Sequence, residues 1–184
     1  MRAFVAVEIP DVAVLDAIVK FQSEAAATGA GLKLVGRENL HYTIRFFGEI
    51  SERQAAEVDS RLASLRPKAV DVEVSGAGAF PSASRPSVVW VGVAREDEQA
   101  MFPIAKEVRD ATAGIGQDED RPFKPHLTVG RVRNGKGIDR LGEFLSLNSE
   151  RTFGKVKLSA LKLKSSVLTP SGPVYSDVGV YPLT

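Results

Sequence analysis

The sequence predicts an α+β fold, or a mixed α/β one, with helices covering one side of each sheet. Three observations carry this. Segments of alternating apolar and polar residues are interspersed with segments of helical period along the 184 residues. No glycine-rich dinucleotide fingerprint follows a predicted strand. Two strands of similar pattern, about 85 residues apart, hint at two similar lobes facing one another.

The elements follow in order. RAFVAVEI (2–9) puts Ala3, Val5, Val7 and Ile9 on one side and reads as a strand, ended by Pro10. Asp11 is the expected N-cap of a helix over 12–28, with Val12, Leu15, Ile18, Val19 and Gln22 at helical spacing; TGAG (28–31) breaks it. LKLV (32–35) and LHYTIRFFG (40–48) read as strands, the second rich in β-branched and aromatic residues and stopped by Gly48. Ser51 caps a helix over 52–66, with Pro67 beyond its end. VDVEVSG (70–76) alternates as a strand, GAGAFPSASRPS (76–87) reads as a long loop, and VVWVGV (88–93) as a strand covered on both faces. A helix over 97–114 turns Met101, Ile104, Ala105, Val108 and Ala111 inward. HLTVGRV (126–132) is a strand and Ile138 to Leu147 a short helix. In KVKLSALKLK (155–164), Val156 and Leu158 have the opposite parity to Leu161 and Leu163, so a β-bulge near Ser159 or Ala160 is expected. VYSDVGVYPL (174–183) is the last strand.

Composition narrows the function classes. Hydrophobic content of 43% and charged content of 26% are those of an ordinary globular chain. A net charge of +1 argues against gripping a long duplex but leaves a local site for a phosphorylated end open. The absence of cysteine excludes disulfides, thiol nucleophiles and thiolate metal sites. No apolar run is long enough for a membrane helix, and the N-terminus, with Glu8 inside its apolar stretch, reads as a strand and not a signal peptide. A cytoplasmic protein is the expectation. There is no nucleophile elbow and no P-loop.

The chain has only two histidines, and each is followed two residues later by a threonine: His41 and Thr43, His126 and Thr128. About one residue in eight is Ser or Thr, so chance places both histidines in this pattern only about 1–2% of the time. Residues i and i+2 of a strand share a face, so each motif offers an imidazole beside a hydroxyl. Two such strands meeting in one cleft supply a base, an acid and two hydroxyl donors, which is the inventory for displacement at phosphorus. A strained five-membered cyclic phosphate needs no metal for this step.

The motifs HYTI and HLTV resemble the paired H-x-[ST]-x signatures of the two-histidine phosphoesterase superfamily. Together with MRAFVAVEIP, GAGAFP, RPSVVWVGV, RPFKPHLTVGRVR and LKLKSSVLTPSGPVYS, they resemble the RNA 2′,3′-cyclic phosphodiesterase family, formerly called 2′-5′ RNA ligases, over nearly the whole chain. The resemblance implies a single two-lobed domain over 1–184, bilobal and pseudo-twofold, with two antiparallel sheets lining a central cleft and helices outside. It implies hydrolysis of an RNA 2′,3′-cyclic phosphate to a 2′-phosphate, with His41 as general acid, His126 as general base and Thr43 and Thr128 on the phosphate. RNA ends or small nucleotides with that group are the expected partners; no cofactor and no metal are expected, and a monomer is. Tyr42, Ile44 and Phe47 stand where leucine is frequent in the family. End joining by reversal of the step, and a non-catalytic RNA-end binder, are the alternatives.

Further candidates have defined positions. Arg131 matches a family phosphate ligand, but its strand parity opposes that of His126 and Thr128; Gly130 could permit a bulge that re-aims it. Arg45 has the parity of His41 and Thr43. Phe80, Phe123 and Tyr175 are candidates for stacking on a base, with core packing as the alternative. Trp90 is expected in the core, and the lysines of 155–164 on a solvated strand face.

Overall fold

The computed structural model describes residues 1–184 and contains nine strands and four α-helices. They are β1 (Arg2–Glu8), α1 (Val12–Ala27), β2 (Leu32–Leu34), β3 (His41–Glu49), α2 (Glu52–Ala63), β4 (Val70–Pro81), β5 (Pro86–Val93), α3 (Arg95–Ala111), β6 (Leu127–Val132), α4 (Ile138–Leu147), β7 (Thr152–Leu158), β8 (Ala160–Thr169) and β9 (Gly172–Pro182). The α+β class holds, but the strands form one sheet where two were expected. Its order is β7-β4-β5-β6-β3-β1-β8-β9, with β2 also on β6, and the strand pairs are antiparallel.

The two histidine strands join the halves of this sheet. β3 and β6 touch through one residue pair, Tyr42 opposite Leu127. Both are fully buried, and the Tyr42 hydroxyl donates to the Gly92 carbonyl of β5 at 3.0 Å. This single bridge makes one sheet from two four-strand halves. The far ends of the order are also tied together. Leu183 N–H donates to Ser159 O, Ala69 N–H to Thr184 O and Thr184 N–H to Pro67 O, so the sheet is strongly curved.

The helices cover one face. α1 packs on β6 and β7, α4 on β4, α3 on β3 and β4, and α2 on β9. Ala3, Val5, Val7 and Ile9 enter the shared core of 39 buried residues, as their alternation predicts. Asp11 caps α1 by accepting from Val14 N–H at 2.9 Å, and Ser51 and Gln54 form a capping box on α2.

Several boundaries and faces differ from expectation. The inner face of α1 is Val14, Ile18, Phe21, Gln22 and Ala25, while Val12, beside the cap, is 66% exposed. α2 stops at Ala63, α3 begins at Arg95, and Ala111 is only half-buried. The loop expected at 76–87 is mostly strand. Gly76, at φ +82°, lets β4 bulge between Val74 and Ala77 and continue to Pro81, leaving Ser82 to Arg85 as the turn. The parity change in 155–164 is a break and not a bulge. β7 pairs with β4 and β8 with β1, so Val156 and Leu158 belong to one half of the sheet and Leu161 and Leu163 to the other.

Candidate active site

His41 begins β3 and His126 immediately precedes β6, both on the face away from the helices. Both rings are fixed in the same way. The His41 Nδ1 lies 2.7 Å from the Asn39 carbonyl and the His126 Nδ1 2.8 Å from the Lys124 carbonyl, two residues upstream in each case. A carbonyl only accepts, so each Nδ1 carries a proton and leaves Nε2 as the nitrogen that can exchange one. His41 Nε2 is 3.1 Å from Thr43 Oγ1.

Each imidazole sits in an aromatic cradle. His41 stacks on Phe4, with ring centroids 5.0 Å apart, and meets Tyr175 edge-on at 5.6 Å. Phe80 stands edge-on to His126 at 5.0 Å and leans on Trp90 at 5.4 Å. Lys124 Nζ lies over both the Phe80 and Trp90 rings, 5.6 and 5.1 Å from their centroids. Desolvation in its cradle pulls the His41 pKa below the usual histidine value. The Asn39 carbonyl and Glu8 oppose that shift; Lys164 and the nearby His126 add to it.

A charge network flanks the first cradle. Lys164 Nζ lies 2.5 Å from both Glu8 Oε1 and Asp177 Oδ1, and Lys162 bridges the same two carboxylates at 2.7 and 2.9 Å. Burial would raise the Glu8 pKa, but hydrogen bonds from both lysines hold it below its ordinary value. Lys162 and Lys164 therefore serve an ion-pair network, while Lys155 and Lys157 lie on the solvated strand face expected.

Two bulges decide which arginine shares the face of the histidines. In β3, Ala6 pairs with Thr43 but Val5 with Arg45, so Ile44 is an extra residue. The insertion reverses parity. Arg45 turns to the helix face, 4% exposed, and donates to Arg109 O at 3.0 Å and Ile115 O at 3.1 Å. A cavity of about 200 Å³ lined by Arg45, Arg109, Asp118 and Glu119 lies there. Arg45 thus lies on the face opposite His41 and Thr43, contrary to the straight-strand expectation.

In β6, Trp90 pairs with Thr128 but Val89 with Gly130, so Val129 is the extra residue. Arg131 then pairs with Val88 and joins the face of Trp90 and Thr128. Its charge reaches Tyr175 on the other half, where it opposes the rise that burial causes in the hydroxyl pKa. The Val129 carbonyl accepts from Val35 N–H at 2.9 Å and from Gln22 Nε2 at 2.8 Å; Gln22 Nε2 also donates to Val35 O at 2.8 Å. Gln22, 4% exposed on α1, therefore clamps the bulge.

The structure brings His41, Thr43, His126, Thr128, Arg131, Phe80 and Tyr175 to this face. Phe123 does not join them: it packs against the core and meets Phe102 of α3 at 6.3 Å. Trp90 was expected in the core, but alternation with buried Val89 and Val91 puts it half-buried on the open face. Its indole lies flat over Gly78, where an added Cβ would come 2.6 Å from Cζ2. Phe4 and Lys124 were missed. Phe4 had a signal, since it has the opposite parity to Ala3, Val5 and Val7. A groove of about 640 Å³ adjoins Trp90, Lys124 and Pro125 and also contains Ser75, Thr152 and Glu150. No cluster of three or more His, Cys, Asp or Glu side chains is placed to hold a metal ion, and no helix is long and apolar enough to cross a membrane.

A curved antiparallel sheet with two His-x-Thr strands side by side on its open face defines a two-histidine phosphoesterase. The chain belongs to the LigT-like phosphoesterase family, whose model, described as "LigT like Phosphoesterase", matches residues 9–90 and 91–175. It is 35% identical over 181 residues to an RNA 2′,3′-cyclic phosphodiesterase of Archaeoglobus fulgidus, covering 98% of this chain and 99% of that one. It is 38% identical over 162 residues to one of Aeropyrum pernix, covering 88% and 92%. The crystal structure of TT0787 of Thermus thermophilus matches with a TM-score of 0.77 and 27% identity, covering 100% of this chain and 98% of that one. E. coli LigT complexed with 3′-AMP, 22% identical, shares the fold with a TM-score of 0.77 over 100% of this chain and 98% of that one.

Proposed function

We propose that this protein hydrolyses RNA 2′,3′-cyclic phosphate ends to 2′-phosphates without a metal, by paired-histidine acid/base catalysis. The observation that carries the reading is the matched fixing of the two rings, each Nδ1–H held by a carbonyl two residues upstream. A core histidine has no need of a copy. The activity in the names of the relatives supports the same substrate.

In the reaction, the base histidine takes a proton from water as its oxygen bonds to phosphorus. The bond from phosphorus to the 3′ oxygen breaks, and the acid histidine protonates that oxygen. The family resemblance assigns the acid to His41 and the base to His126. Burial lowers the His41 pKa in the free protein, and an anionic phosphate beside it would raise its proton affinity. Thr43, Thr128 and Arg131 hold the non-bridging oxygens, while Phe80 and Tyr175 offer ring faces to a base. His41→Ala and His126→Ala should each lower kcat/KM by about 10²–10⁴-fold while the protein stays folded. Phosphorus NMR should find only the 2′-phosphate, with or without chelator. Near-normal turnover by either folded variant would sink the assignment.

We read 1–184 as one two-lobed domain whose halves are related by a pseudo-twofold axis between β3 and β6. Four strands on each side of the Tyr42–Leu127 bridge and a family match in each half support this. A monomer acting in the cytoplasm completes the proposal; light scattering tests its size and fractionation its location. The second reading is 2′-5′ end joining, in which a 5′-hydroxyl replaces the attacking water. The groove lined by Trp90, Lys124 and Pro125, the residue before His126, favours it as a seat for the acceptor nucleoside. Joined product from cyclic-phosphate and 5′-hydroxyl fragments, in excess over hydrolysis, would favour joining.

A further inference from the structure

Basic side chains beside the cleft fall into two sets. Lys162 and Lys164 are neutralised by Glu8 and Asp177. Lys33, Arg2 and Arg131 have no such partner. The nearest acid to Arg2 along the sheet is Glu49, its cross-strand neighbour, and that carboxylate pairs with the N-terminal amine. Arg2 instead lies over the Phe46 ring at 4.8 Å.

The placement of Lys33 is the telling one. It stands directly opposite Arg131 in the β2–β6 pair. Like charges directly opposite each other destabilise a sheet, so this pair calls for an anion between or above them. The Lys33 side chain also reaches the β8–β9 turn, where a Cβ added at Gly172 would lie 3.3 Å from Nζ. That turn leads into Tyr175, which touches His41 edge-on. Tyr175 is within electrostatic reach of both Arg131 and Arg2, and Arg2 and Tyr175 flank the same residue, Ser166 of β8. Arg131 and Arg2 therefore bring positive charge without a carboxylate partner to Tyr175, one ring beyond His41, and Lys33 adds a third at the turn leading into it.

We infer that Lys33, at the β8–β9 turn, and Arg2, across β8 from Tyr175, form a second phosphate subsite for the phosphodiester that precedes the cyclic phosphate. The substrate is then the 3′ end of an RNA chain of two or more nucleotides, not a lone cyclic nucleotide. This rests on the cyclic-phosphodiesterase reading above. Recognition of a backbone phosphate by unpaired cations is independent of sequence, so the subsite selects chain over mononucleotide without selecting a base.

The test compares kcat/KM for a 2′,3′-cyclic mononucleotide, a dinucleotide ending in the same cyclic nucleotide, and that dinucleotide with an uncharged methylphosphonate linkage. The charged dinucleotide should be preferred by about tenfold or more over the other two. Lys33→Gln and Arg2→Gln should each bring the dinucleotide-to-mononucleotide ratio toward one. Equal use of all three substrates by the wild type, or an unchanged ratio in both variants, overturns the subsite. Calorimetric titration with the 2′-phosphorylated mononucleotide and dinucleotide repeats the comparison without turnover. A chain preference in binding with no hydrolysis would uphold the subsite and overturn the catalytic reading instead.

Discussion

Replacing Gln22 by leucine tests how the fold aims Arg131. Gln22 lies on α1, and its side-chain amide donates to Val35 O and Val129 O, both at 2.8 Å. Leucine keeps nearly the same volume, so the cavity contribution is small. The Val129 carbonyl retains its bond from Val35 N–H, while Val35 O loses the amide donor. Leaving about one buried carbonyl short of a partner costs about 1–3 kcal/mol, or about 2–12 °C in Tm for a chain of this size. The functional consequence is separate. Without the clamp the Val129 bulge relaxes toward a regular ladder, and a regular ladder turns Arg131 away from Thr128. KM for the cyclic substrate should rise, up to the limit set by Arg131→Gln, about 10- to 100-fold for one charged hydrogen bond. The double variant should be no worse in KM than Arg131→Gln alone, because both remove the same contact. Michaelis kinetics on the three variants, with thermal melts as the folding control, decides it. A folded Gln22→Leu protein with wild-type KM, or costs that add fully in the double variant, would refute the clamp.

Further outcomes follow from the same geometry. Gly78→Ala should displace the Trp90 indole, because the new Cβ would sit 2.6 Å from Cζ2; a loss of about 1–3 kcal/mol, seen with a shift in tryptophan emission, is expected. The depressed pKa of His41 means that the unfolded chain binds the extra proton more readily. Its contribution to stability is complete above the unfolded value of about 6.5 and is lost as pH falls through the lower folded value. His41→Gln should flatten that part of a Tm-versus-pH curve, and an unchanged curve would exclude the burial effect. Glu8 and Asp177 are also held low, so their contribution is lost in a separate, more acidic window, below their ordinary values. Glu8→Gln removes a negative charge that supports the His41 proton while leaving Lys164 in place, so the His41 pKa, followed by proton NMR, should fall further.

The residues predict much of this site directly. Strand alternation is a local property, so HYTI and HLTV each present imidazole and hydroxyl on one face wherever the strands lie. The same logic places Ala3, Val5 and Val7 inward, and Asp11 and Ser51 at helix starts. What the sequence could not supply is the state of the partner strand. Whether Ile44 and Val129 bulge depends on the register with β1 and β5 and, for Val129, on an amide 107 residues away. Those two insertions exchange the fates of the arginines: Arg45 had the right parity and turns inward, while Arg131 had the wrong parity and turns to the face of the histidines.

The amino-acid sequence by itself determined the chemical inventory, the elements that carry it and the pairing of two His-x-Thr motifs, since these depend on neighbours within a few residues. Tertiary structure alone decided that the strands form a single sheet joined at Tyr42 and Leu127. It also decided that Phe4 stacks on His41 and that Trp90 and Arg131 lie on the open face of the sheet. Each of these is a contact between residues far apart in the chain, set by the register in which distant strands meet.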